Sequence, residues 1–111
     1  MTDKYHNQPP LEVWRLQAEE WADLDAAAHL LEKGRSSVFA EWQNALIAEG
    51  VKISQAERNT LASEQYRDYL KKMTTARRRS NRARVAMDYA KEKLWEVKTA
   101  NANARDERKM G

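Results

Sequence analysis

Residues 54–108 read SQAERNTLASEQYRDYLKKMTTARRRSNRARVAMDYAKEKLWEVKTANANARDER, and this stretch decides the fold. It contains neither Gly nor Pro; the flanking glycines are Gly50 and Gly111. It opens on Ser54-Gln55-Ala56-Glu57, the pattern of a capping box, in which the Ser and Glu side chains each satisfy a backbone N–H at a helix start. With nothing to break it, residues 55–108 are expected to form one helix of about 80 Å at 1.5 Å per residue. Thr74-Thr75 and Ser80-Asn81 are the places where it could break, because such residues favour caps over helix interiors.

A heptad seam runs along this helix. One set of positions is Tyr66, Met73, Ser80, Met87, Leu94 and Asn101; the set three residues later is Tyr69, Ala76, Ala83, Ala90, Val97 and Ala104. A 3.5-residue repeat of this length argues for a coiled coil, and its alanines let a partner helix approach closely. Ser80 and Asn101 interrupt the seam with polar groups, which typically fix register at some cost in stability.

Upstream, Pro9-Pro10 closes a polar arm, residues 1–9, expected to be flexible. Pro10 suits the first turn of a helix. Leu11, Trp14, Ala18, Trp21, Leu24, Ala28 and Leu31 then follow steps of three and four, predicting an amphipathic helix over 11–33 with Gly34 as its stop. Ser36 or Ser37 would cap a second helix over 36–49, carrying Val38, Phe39, Trp42 and Leu46 and ending at Gly50. Residues 10–50 thus read as an acidic helical hairpin and 51–111 as a long basic helix. The expected fold is all-α, a single domain with two short helices folded against one long coiled-coil-like helix. Trp14, Trp21 and Trp42 are expected to be largely buried with Leu24, Leu31, Leu46 and Leu61; Trp95, beside the seam among Lys91, Lys93 and Lys98, is expected in the core or an interface, with stacking on a base as the alternative. The first helix, at about 34 Å, covers only part of an 80 Å partner. The uncovered seam implies a homo-oligomer formed through Tyr69, Met73, Ala76, Ala83, Met87, Ala90, Leu94 and Val97.

The whole chain has 111 residues and a net charge of +3, with no Cys. Of its apolar residues, seventeen are Ala, so narrow helix seams suit it better than a deep core. The absence of Cys excludes disulfides and fits a reducing compartment. No apolar run approaches the roughly 20 residues of a membrane span, and the start lacks a signal layout, so a cytoplasmic protein is expected. The modest net charge hides an asymmetry. Residues 1–50 carry four Lys/Arg against nine Asp/Glu, and residues 51–111 carry sixteen against eight.

Seven cations fall within residues 71–84 without one acid: Lys71, Lys72, Arg77, Arg78, Arg79, Arg82 and Arg84. On a helix, Arg77, Arg84, Lys91 and Lys98 recur every seven residues and, with Arg105, flank the seam. Such a stripe can neutralise several phosphates of a nucleic acid and release their counterions. No base-reading pattern accompanies it, so the expected binding is to single-stranded nucleic acid and independent of sequence. The competing role for these cations is pairing with the first helix's acids, Glu19, Glu20, Asp23, Asp25 and Glu32. A membrane surface is disfavoured because the basic side has no clean face of large apolar residues.

Catalytic chemistry finds no footing. His6 lies in the arm. His29 has Asp25 and Glu32 within helical reach, but no second His or Cys completes a metal site. Neither a phosphate-binding loop nor a zinc or nucleophile-elbow motif occurs. No catalytic residue, metal or cofactor is expected.

The opening Tyr5-His6-Asn7-Gln8-Pro9-Pro10 resembles the short arm of small proteins from tailed phages and prophages. The stretch from Tyr66 through Tyr69-Leu70, Ala76-Arg77 and Ala83-Arg84 to Leu94-Trp95 resembles helical proteins encoded beside phage recombination genes. Residues 55–108 are similar in character to recombination mediators of the UvsY type. That resemblance implies an oligomer that holds single-stranded DNA, with a recombinase or single-strand-binding protein as partner. It does not account for the acidic N-terminal half. The alternative reading is a coiled-coil scaffold or inhibitor that binds a host or phage protein. A transcriptional regulator fits least, because no helix–turn–recognition-helix unit precedes the basic run.

Overall fold

The structure, a computed structural model, describes residues 7–110, with side chains through residue 108. The expected flexible arm lies largely outside the described residues. Three helices follow: α1, Pro10–Ala48; α2, Ile53–Leu61; and α3, Glu64–Met110. Among the described residues there is no strand, and the two long helices pack together, so the fold is all-α.

The helix boundaries correct the sequence reading in three places. Gly34 does not stop a helix: α1 runs through it without interruption. At 39 residues, α1 is long enough to remove most of the length mismatch that argued for a second chain along the seam. Ser54 does not cap α2. The residue before the helix is Lys52, and no side-chain capping bond forms there. The long third helix does not break near Thr74 or Ser80 but at Ala62-Ser63.

Each true terminus has its own chemistry. Pro10 opens α1, as its sequence position predicts, and the Pro9 carbonyl accepts from the Val13 N–H at 3.0 Å. At the far end Val51 N–H reaches the Leu46 carbonyl and Gly50 N–H the Ile47 carbonyl, at 3.1 and 2.9 Å. This is the Schellman pattern, and it requires Gly50 at its observed φ of +98°. At the α2–α3 junction the Ser63 hydroxyl donates to the Thr60 carbonyl at 2.7 Å and accepts from the Tyr66 N–H at 3.2 Å. One side chain thereby closes α2 and opens α3.

The chain forms two compact units: Leu24–Arg79, and the residues up to Asp23 together with those from Ser80. In the first, α1 and α3 run antiparallel, since Phe39 meets Tyr66 while Asp25 and Glu32 meet Arg77. Phe39 packs edge-on against Tyr66 with ring centres 5.3 Å apart, and Trp42 against Tyr69 at 6.3 Å. Such T-shaped pairs align a ring edge with a negative ring face. The Tyr69 hydroxyl donates to the Leu31 carbonyl at 2.5 Å. In the second unit, Ser80 and Ala90 are buried and Ala83, Met87 and Leu94 are half-buried.

The expected core is thinner than the sequence suggests. Trp14, Trp21, Trp42, Leu24, Leu31 and Leu46 are only half-buried, and Leu61 is exposed. Apart from Tyr66, the buried residues are small: Ala28, Ala56, Thr60, Ser80 and Ala90. Helices that meet through such residues leave their larger side chains at the margin of the contact, where one side stays wet.

Candidate nucleic-acid interface

The predicted seam positions are those α3 turns inward. Tyr66 and Ala90 are buried, and Tyr69, Met73, Ala76, Ala83, Met87 and Leu94 are half-buried. Val97, at 44%, and Asn101 are exposed, and Ala104 is again half-buried. The seam was read as an oligomer contact; along Leu24–Arg79 it is instead faced by this chain's own α1, through the ring pairs and Tyr69.

This register sorts the seven cations. Written as a heptad with Ser80 at the first position, Lys71 and Arg78 fall at the sixth and Arg82 at the third, the positions farthest from the seam. Lys72 and Arg79 flank it on one side, Arg77 and Arg84 on the other. Arg77 is half-buried because its flank is the one beside the acids of α1. Its Nε and Nη2 donate to the two Glu32 oxygens at 2.9 and 2.6 Å, and Nη1 donates to Asp25 at 2.7 Å. This fork-on-carboxylate geometry is the strong form of an ion pair. The hydrogen bonds from Arg77, opposed by partial desolvation, hold the Glu32 carboxyl below its ordinary value, and the same bonds raise the guanidinium's pKa. Arg77 is thus committed to α1.

The other six differ. Lys71, Lys72, Arg78, Arg79, Arg82 and Arg84 are all exposed, and among the described residues no ion pair joins any of them to a carboxylate. The cations farther along, Lys91, Lys98 and Arg105, are exposed as well. The acidic half is engaged locally elsewhere: Arg15 bonds both Glu12 and Glu19 on α1 itself.

The expected role of Trp95 is not met within this chain, where it is 61% exposed with the Lys98 ammonium 5.9 Å from its ring. Tyr89, which the sequence reading passed over, is exposed to the same degree and has Lys93 5.4 Å from its ring centre. Its signal was available: Tyr89 stands seven residues after Arg82, at a third heptad position, where charged residues are usual. His29 is exposed, and its neighbouring carboxylates Asp25 and Glu32 serve Arg77. Among the described residues no group of three or more His, Asp or Glu side chains is placed to hold a metal, and no helix is long and apolar enough to cross a membrane. Comparison with family models, curated proteins and solved structures finds no match to this chain.

Proposed function

We propose that this protein binds single-stranded nucleic acid without sequence specificity, through Lys71, Lys72, Arg78, Arg79, Arg82 and Arg84 of α3. The observation that carries the proposal is that these six cations, packed into fourteen residues, are exposed and have no carboxylate partner among the described residues. Like charges so close in a helix repel one another, and a polyanion relieves that repulsion. Arg77, bound to Glu32 and Asp25, serves the fold and not the ligand. The resemblance to recombination mediators extends the reading to a role in holding DNA for a recombinase. Self-association belongs to the same proposal, now placed at the C-terminal end of the seam, where Val97 is exposed.

The test is binding of an oligonucleotide of about 30 nucleotides across a salt series. With four or five phosphates contacted per chain, log K falls against log salt with a slope of roughly −3. Arg78→Glu with Arg82→Glu weakens binding to every sequence alike and leaves helicity intact. No binding at about 50 mM salt, where such electrostatic contacts are strong, overturns the proposal in favour of a protein-binding scaffold.

A further inference from the structure

We infer that Tyr89 and Trp95 are two separate base-stacking points on α3, so that the chain grips the bases of a single strand as well as its phosphates. The inference rests on the nucleic-acid reading above. In the unit containing the C-terminal part of α3, the face away from the seam runs Arg82, Val85, Tyr89, and Trp95 stands six residues beyond Tyr89, about 120° further round the helix. Val85, Tyr89 and Trp95 are all exposed. An outward helix face normally carries polar groups, and leaving two large aromatic rings in water forgoes their burial.

Each ring has an ammonium near it: Lys93 at 5.4 Å from the Tyr89 centre and Lys98 at 5.9 Å from the Trp95 centre. Exposed aromatics beside a cationic groove are the means by which single strands are held without regard to sequence, since every base has a π-face. The rings lie six residues apart, about 9 Å of helix rise and about 120° of turn, so they take separate bases of a strand that winds round the helix.

Charge orients the strand. A shallow surface lined by Glu92, Trp95, Glu96, Thr99, Ala100 and Asn103 surrounds the Trp95 ring. Of its two carboxylates Glu96 pairs with Lys93 at 3.6 Å and Glu92 repels phosphate, while Arg82, on the Tyr89 face, attracts it. The sugar-phosphate chain is therefore held by Arg82 next to Tyr89, and a base further along the strand meets Trp95. A duplex, whose bases are stacked inside, cannot use these points.

The experiment compares an oligothymidylate of about 30 nucleotides with an abasic strand of equal length and charge, for wild type, Tyr89→Ala, Trp95→Ala and the conservative Tyr89→Phe. Wild type binds the base-bearing strand more tightly, and its tryptophan fluorescence is quenched on binding by an amount that Trp95→Ala removes. Each Ala variant loses roughly tenfold for that strand, with unchanged abasic binding and unchanged salt slope, and Tyr89→Phe restores affinity. Equal binding of both strands by wild type overturns the stacking points but leaves the phosphate-binding proposal standing. No binding of either strand overturns both. A drop in sedimenting mass of the Ala variants without ligand identifies the rings as a contact between copies, and also overturns the stacking points.

Discussion

The Tyr69 hydroxyl lies 3.2 Å from the point where a Cβ on residue 34 would stand, so Gly34 is the space that lets Tyr69 reach the Leu31 carbonyl. The absent side chain on α1 and the hydrogen bond from α3 are one device. The glycine is kept for access, at the cost of helix propensity.

That pairing predicts non-additivity. Gly→Ala within a helix is ordinarily worth about 1 kcal/mol of stabilisation. Gly34→Ala in wild type delivers less than this or destabilises, because the methyl crowds a hydroxyl fixed by its bond to Leu31. In the Tyr69→Phe background the crowding atom is gone and the full gain of about 1 kcal/mol appears. Denaturant melts of the four proteins measure the coupling.

Arg77 and Arg78 are neighbours in sequence with opposite assignments. Arg77→Ala lowers the melting temperature by a few degrees, because it leaves Asp25 and Glu32 without their shared partner. Arg78→Ala leaves the melting temperature unchanged and weakens oligonucleotide binding. The Glu32 carboxyl, bonded by Arg77, is held below its ordinary 4.5, so its stabilising contribution is fully present above that value. That contribution is lost as pH falls through the lowered folded-state value. In Arg77→Ala the Glu32 carboxyl titrates at higher pH than in wild type, which an NMR titration reads directly.

Ser63 and Ser54 exchange the roles that their sequence contexts suggest. Ser63→Ala removes the acceptor of the Tyr66 N–H and costs about 1 kcal/mol, as loss of an N-cap does. Ser54→Ala costs a few tenths at most, since no side chain caps α2. Thermal melts followed by circular dichroism separate the two.

Ala90 and Val97 occupy the same seam position one heptad apart, but only Ala90 is buried. Ala90→Glu destabilises the fold itself, because it places a carboxylate in the packed face of α3. Val97→Glu leaves the melting temperature of the monomer unchanged and abolishes self-association. Sedimentation of Val97→Glu at tens of micromolar giving the wild-type mass would remove the C-terminal seam as an oligomer contact.

The seam was legible in the sequence because burial in a helix pair follows one period, and the positions from Tyr66 to Leu94 keep it. Gly34 was not. A glycine after an amphipathic run reads as a stop, and only the approach of Tyr69, thirty-five residues away, shows that it is a clearance. The α2–α3 break was hidden for a different reason: Ser63-Glu64-Gln65-Tyr66 contains no residue that a helix excludes, and the capping hydroxyl competes locally with helix continuation. The acids of α1 were visible as partners for the basic run, Asp25 and Glu32 among them. Which arginine they would take depended on the register of α3 against α1, and that is a property of the pair.

The small side chains at the buried positions also set how the fold responds to its surroundings. Ala28, Ala56, Thr60, Ser80 and Ala90 withdraw little hydrocarbon from water. Unfolding therefore re-hydrates chiefly the half-buried faces of side chains such as Trp14, Trp21 and Trp42, so the transition carries a lower heat-capacity change and a shallower denaturant slope than fully buried rings would give it. Under the proposed function, a polyanion that binds only the ordered α3 draws the folding equilibrium with it, so occupancy and foldedness rise together.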